Sequence, residues 1–96
     1  MTAPAITRES VVRASSNQVS STVEGEAVIL ELRNGGYYGL DPVGTSVWKL
    51  IQDPIRVTDL CAAIVGEFDV TPARCETDVL ALLRSLDEVG LVEIAA

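Results

Sequence analysis

Few residues in this 96-residue chain can do covalent chemistry. Histidine is absent, which removes the commonest general base, the commonest metal ligand and every Ser-His or Cys-His nucleophile arrangement. Two cysteines, Cys61 and Cys75, stand alone without the paired spacing of a zinc or redox site. Both fall on apolar helical stripes, where a thiol behaves as a small hydrophobe. A disulfide between them is conceivable but disfavoured in a reducing compartment. The carboxylate pairs Asp87-Glu88 and Glu24-Glu26 lack a pocket or partner that would set them apart as acid and base, so they read as solvated charges. No catalytic group, metal or cofactor emerges. What remains is backbone chemistry, concentrated in Asn34-Gly35-Gly36-Tyr37-Tyr38-Gly39-Leu40-Asp41-Pro42.

Asn34-Gly35 suits a two-residue type I′ turn, since both residues tolerate positive φ. Gly36–Leu40 is then a short strand, ended where Asp41 caps a helix and Pro42 takes its first position. With nothing strand-like until the last few residues, this strand is expected at a sheet edge with unpaired N–H and C=O groups.

The elements that position it are legible on both sides. Residues 1–9 have no periodicity and are expected to be a loose terminus ahead of one domain over 10–96. Ser10–Ala14 is a short extended piece. Val19, Ser21 and Val23 alternate with Gln18, Ser20 and Thr22 in a half-buried strand, and Glu24-Gly25 turns the chain. Glu26–Arg33 is a second strand, with Val28, Leu30 and Leu32 on one face and Ala27, Ile29 and Glu31 on the other. Being apolar on both faces, it belongs in the middle. Val43, Val47, Leu50 and Ile51, with Trp48 beside them, mark a helix ending near Asp53-Pro54. Val57, Leu60, Cys61, Ile64, Val65 and Phe68 mark a second, with Gly66 weakening its last turn. Thr71-Pro72 opens a longer third carrying Cys75, Val79, Leu82, Leu83, Leu86 and Val89, closed by Gly90 in the left-handed region. Leu91–Ile94 then runs extended. Three strands followed by three helices predict an α+β fold, winged-helix-like, with a three-stranded antiparallel sheet.

Net charge excludes several functions. Fourteen acids against seven bases give −7 and a pI near 4.3. Phosphate neutralisation needs clustered Lys and Arg, and here Arg74 and Arg84 of the third helix face Glu76, Asp78, Asp87 and Glu88. A winged-helix DNA regulator is therefore the weaker alternative. No apolar run approaches the roughly 18 residues of a spanning helix, and the N-terminus has no basic segment followed by an apolar one, so the cytosol is expected.

Val23–Leu30, Gly36–Asp41, Gly44-Thr45-Ser46-Val47-Trp48, Asp78–Leu86 and Gly90-Leu91-Val92, taken in order, resemble the PqqD-like family over roughly residues 11–94. These are leader-peptide recognition elements of ribosomally made, modified peptides. The Tyr-Tyr-Gly-Leu-Asp strand and Trp48 are most similar to the free-standing leader-binding subunit of lasso-peptide biosynthesis. One departure is Arg56-Val57-Thr58, where such proteins commonly cap the second helix with Thr. The resemblance implies a non-catalytic adaptor in which the precursor's leader adds as a strand beside Gly36–Leu40, in a groove walled by the third helix. It also implies a leader peptidase of transglutaminase-like fold as partner, with an asparagine-synthetase-like cyclase in the pathway. The runner-up is a PqqD-type peptide chaperone for a radical enzyme of quinone-cofactor biosynthesis.

The expected peptide-binding residues are Gly36, Tyr37, Tyr38, Gly39 and Leu40 on the strand and Cys75, Asp78, Val79, Leu82 and Leu86 on the helix. Gly36 and Gly39 either admit a foreign backbone or serve turn and strand-end geometry. Tyr37 and Tyr38 either line the groove or fill core and surface. Core packing is the safer assignment for Val79 and Leu86, and Trp48 reads as an amphipathic core residue.

Overall fold

The computed structural model describes residues 5–95; Met1–Pro4 of the expected loose terminus and Ala96 lie outside the described residues. Its elements run β1 (Val11–Ala14), β2 (Gln18–Val23), β3 (Glu26–Glu31), β4 (Tyr37–Gly39), α1 (Pro42–Leu50), β5 (Ile55–Arg56), α2 (Val57–Glu67), α3 (Pro72–Glu88) and β6 (Val92–Ile94). The expected meander is present as an antiparallel sheet in the order β2-β3-β4, so β4 lies at an edge. A second antiparallel sheet, β5-β1-β6, was not foreseen. It pairs the two extended pieces expected near Ser10–Ala14 and Leu91–Ile94 with Ile55–Arg56, a segment too brief for periodicity to register.

Turn chemistry divides differently from the sequence expectation. The positive-φ pair of a two-residue hairpin is Glu24-Gly25, at 52° and 83°, closing Val23 onto Glu26. Between β3 and β4 only Gly35 is left-handed, at 74°. Glu31 and Gly36 instead close a four-residue loop through Glu31 N–H to Gly36 C=O at 2.8 Å. The cause is the buried Glu31 carboxylate, which accepts the Arg33 N–H at 3.0 Å and the Asn34 N–H at 2.6 Å. Burial alone would raise its pKa; the hydrogen bonds from Asn34 and Arg33 outweigh that and hold it below the ordinary value.

The helices start as expected at two of three places. Asp41 accepts the Gly44 N–H at 2.7 Å and Thr71 accepts the Arg74 N–H at 3.3 Å, each followed by proline. Arg56 supplies no side-chain cap to α2. Its first free N–H groups go to main-chain carbonyls instead: Val57 to Ser10 at 2.9 Å and Thr58 to Arg8 at 3.2 Å. The segment before β1 therefore acts as the cap. It is also held from below, because Ile6 is 1% exposed within the core and its carbonyl accepts Arg84 Nε and Nη2 at 3.2 and 3.0 Å. Residues 6–9 are thus held against the fold, in contrast to the loose terminus expected there.

At the other end of α3, Gly90 has φ 77°. Leu91 N–H reaches Leu86 C=O at 2.9 Å and Gly90 N–H reaches Asp87 C=O at 3.0 Å, a Schellman closure. Leu91 is then fully buried and Val92 enters β6. The core is one cluster, including Ile29 from β3, Val47, Trp48 and Ile51 from α1, Leu60 and Ile64 from α2, and Val79, Leu83 and Leu86 from α3. Trp48 is buried and donates its indole N–H to Ser20 Oγ at 3.2 Å.

One face of the meander is inverted relative to its alternation. Ala27, Ile29 and Glu31 form the buried face of β3, and their partners Thr22, Ser20 and Gln18 share it. Val19 and Val23 consequently point away from the helices, at 58% and 55% exposure. The half-buried reading of that strand is corrected.

Candidate functional site

β4 can be read atom by atom from its register. Glu31 N–H donates to Gly36 C=O and Leu40 N–H to Ala27 C=O, and Tyr38 sits opposite Ile29 between them. In an antiparallel ladder bonded and non-bonded pairs alternate. Tyr38 therefore turns its N–H and C=O toward β3, whereas Tyr37 and Gly39, opposite Leu30 and Val28, turn theirs outward. The free edge offers two donors and two acceptors.

Side chains sort by the same logic. Tyr38 and Leu40 share the face of Ile29 and Ala27, toward the helices, and both pack on the core. Tyr37 points to the opposite face at 73% exposure. Gly36 has a packing reason to lack a side chain, since a Cβ there would lie 3.0 Å from the Tyr38 hydroxyl and 3.2 Å from its ring. A Cβ at Gly39 would meet nothing within 4 Å, which leaves that stretch of edge open to another backbone.

Thr45 fixes the end of the strand. Its buried hydroxyl accepts the Ala27 N–H at 2.8 Å and lies 3.4 Å from Leu40 C=O. It stands in for one bond of the ladder and ties α1 to the end of β4.

Two hollows lie along α3, the first between it and the start of α1, the second between its end and the β3–β4 loop with Tyr38. One, of about 240 Å³, is lined by Asp41, Val43, Gly44, Asp78, Val79 and Leu82, among others. The second, of about 490 Å³, is bounded by Arg33, Asn34, Tyr38, Asp87, Glu88 and Gly90, among others. The first is mostly apolar with two carboxylates at its mouth; the second is polar. From Leu82 to Val89 the helix rises about 10 Å, room for roughly three residues of extended chain.

The expected site residues separate accordingly. Asp78, Val79 and Leu82 line the apolar hollow, with Val79 as its buried floor, and Leu40 lies against Gly44 at its rim, whereas Tyr38 lines the polar hollow with Asp87, Glu88 and Gly90. Asp78 is exposed and paired with Arg74 at 3.1 Å. Cys75 does not belong to the wall: it is 2% exposed and its Sγ sits 3.6 Å from Cys61 C=O, between α2 and α3. Leu86 is core as well. Both lie on the helix stripe facing the core, about 50° round the axis from the Asp78 and Leu82 flank at 100° per residue.

Sequence reasoning missed Arg33, Asn34, Asp87, Glu88 and Gly90 as groove residues. The signal was present in Gly90, which ends α3 beside the β3–β4 loop: a Cβ on it would collide with the Arg33 guanidinium.

The remaining chemistry is quiet. Burial, then the neighbouring Cys75 thiol, pushes Cys61 up to about 11, and burial likewise raises Cys75. Both are thiols at neutral pH. Among the described residues no group of three His, Cys, Asp or Glu is placed to hold a metal, and no helix is long and apolar enough to cross a membrane. The arginines are engaged: Arg8 with Glu76, Arg13 with Glu93, Arg33 with Glu31, Arg74 with Asp78, and Arg56 and Arg84 with main-chain carbonyls. None forms the basic stripe that nucleic acid requires.

The fold defines a class of small α+β module in which the edge strand β4 of an antiparallel sheet has no partner on its outer side among the described residues. Within that class the chain belongs to the PqqD family: the family profile described as Coenzyme PQQ synthesis protein D (PqqD) matches residues 26–92. Among solved structures it is similar to TbiB1 in complex with the TbiA(beta) leader peptide, at 34% identity and a TM-score of 0.78, over 84% of this chain and 94% of that one. A lasso peptide synthetase B1 complexed with the leader peptide shares its fold, at 23% identity and a TM-score of 0.76, over 85% and 96% of the two chains. So does the PqqD part of Methylobacterium extorquens PqqCD, described as a stand-alone RiPP recognition element, at 24% and 0.70, over 86% and 88%. No curated protein sequence matches it.

Proposed function

We propose that this protein is a non-catalytic adaptor that captures the leader segment of a ribosomally synthesised precursor and presents it to maturation enzymes. The observation that carries the reading is the outward pair Tyr37 and Gly39 on the edge strand, with Tyr38 between them lining a hollow against the Asp87–Gly90 end of α3. Its likeness to TbiB1, solved with a leader peptide, supports it.

The energetics assign separate tasks to backbone and side chains. Four main-chain bonds at about 0.5–1.5 kcal/mol each roughly offset the 2–5 kcal/mol that ordering a disordered segment costs. They hold almost any extended peptide and select none. Selection falls to the residues opposite Tyr38 and Leu40, whose side chains point toward α3. An aliphatic or aromatic side chain buried in the apolar hollow adds about 1.5–3 kcal/mol, enough to decide which peptide stays.

The maturation partners in this reading are a leader peptidase of transglutaminase-like fold and an asparagine-synthetase-like cyclase of the lasso-peptide pathway, in the cytoplasm. The family description favours one other reading, delivery of a peptide to a radical enzyme of quinone-cofactor biosynthesis. The genes beside this one separate the two. Titrating the leader of the neighbouring precursor while following amide shifts tests capture itself. The largest shifts are expected at residues 36–40 and along 78–90; shifts confined elsewhere would refute the site.

A further inference from the structure

Among the described residues the β2-β3-β4 sheet carries helices on one face only, and it shows its apolar side to the other. Gln18, Ser20, Thr22 and Glu31 are turned toward the helices, while Val19, Val23, Val28, Leu30 and Tyr37 are turned away. The register lines Val19, Leu30 and Tyr37 into one row across the three strands and Ser21, Val28 and Gly39 into the next. Leu32, just past β3, is 54% exposed. Isolated exposed apolar residues need no explanation; a contiguous block of them marks an interaction surface.

Two features identify what covers it. The charged residues bordering the block at the β2–β3 hairpin are Glu24 and Glu26, and β2, β3 and β4 contain no Lys or Arg. A second copy would set these carboxylates, and a net charge of −7, against their like. The fitting partner is an apolar surface rimmed with Lys or Arg. The block is also continuous with the open edge through Tyr37. Directly opposed residues of neighbouring strands share a face, so a strand paired to Tyr37 and Gly39 lengthens both rows by one side chain each.

We infer that this helix-free face is where the enzyme that processes the captured precursor docks, and that the captured strand completes the docking surface. The inference rests on the capture reading above. The partner thereby distinguishes loaded from empty adaptor by direct contact with the added row, without any rearrangement of this chain.

The test uses Val19→Lys and Val23→Lys, singly and together, in the full chain. Both sites are more than half exposed, and a melting curve within a few degrees of wild type verifies the fold. Affinity for the leader peptide is measured by calorimetry, and cleavage of the full precursor by the leader peptidase encoded beside this gene is followed by mass. The expected result is leader affinity within twofold of wild type and cleavage slowed at least tenfold, with Val19→Ile near wild type. The peptidase should also bind immobilised adaptor at least tenfold more tightly with leader present than without. Undiminished cleavage by the double variant, affinity falling in parallel with cleavage, or equal peptidase binding to loaded and empty adaptor would each overturn the inference. So would a wild-type dimer that the variants dissolve in sedimentation. A wild-type chain that binds no leader at all would instead bring down the capture reading.

Discussion

Proline placed at Tyr37 and at Tyr38 separates the two sides of one strand. At Tyr37 it removes an N–H that faces solvent, the one sheet position where proline is readily tolerated. The preceding Gly36 adapts easily to the extended geometry that proline imposes. The fold should survive, with a melting temperature close to that of Tyr37→Ala. Capture should not, because the precursor's carbonyl opposite residue 37 is then buried without a donor. That leaves a penalty of about 1–3 kcal/mol, or roughly 5- to 150-fold in Kd. Tyr37→Ala keeps the N–H and loses only a side chain on the far face, so it should bind within a few fold of wild type. Tyr38→Pro breaks the bond to Ile29 and the packing on Gly36, so stability itself should fall. Calorimetry with the leader peptide and thermal melts of the three variants decide the matter. Equal affinity for Tyr37→Pro and Tyr37→Ala would refute edge pairing, and an unaltered melt for Tyr38→Pro would refute the register.

Other expectations follow from single contacts. Leu82→Asp should weaken leader binding at least tenfold by adding a charge to the apolar hollow, with little change in melting temperature; comparable affinity would move the selecting pocket elsewhere. Glu31 has a depressed folded pKa, so its stabilising contribution is present above the ordinary carboxyl value near 4.5 and is lost as pH falls through the folded one. Glu31→Gln should therefore lower stability at neutral pH and flatten the acid limb of stability against pH, measured by denaturant titration. Gly90→Ala meets both a left-handed backbone and the Arg33 side chain, so a loss of about 1 kcal/mol or more is expected in the same assay. Cys61, with its pKa near 11, should react sluggishly with iodoacetamide at pH 7 and accelerate through pH 9–11; rapid labelling at neutrality would contradict its surroundings.

The first and third helices were legible because they carry their own signals, and the second through its apolar stripe alone. Asp41-Pro42, Thr71-Pro72 and Gly90 work by local geometry, and the apolar stripes over 43–51, 57–68 and 75–89 span several turns. The edge position of β4 followed from order along the chain. What local reasoning could not supply was which side of the meander faces the helices. Val19 and Val23 look like the inward set until Ile29 and Ala27 are known to be covered, and a single buried carboxylate, Glu31, sits among the inward residues. The Asn34-Gly35 turn was misread for the same reason: Glu31 reaches forward to its loop, and that contact depends on burial. Cys75 was placed on the groove wall by helical spacing alone, and α2 takes up that side.

The strand Val11–Ala14 lies between Ile55–Arg56 and Val92–Ile94, upstream of the segment by which kinship is detected. Anyone transplanting this module into a chimeric enzyme at that detected boundary would carry two ribbons with no middle, an uncapped second helix and a bare Leu91. A graft must begin before Ile6 to travel as a whole.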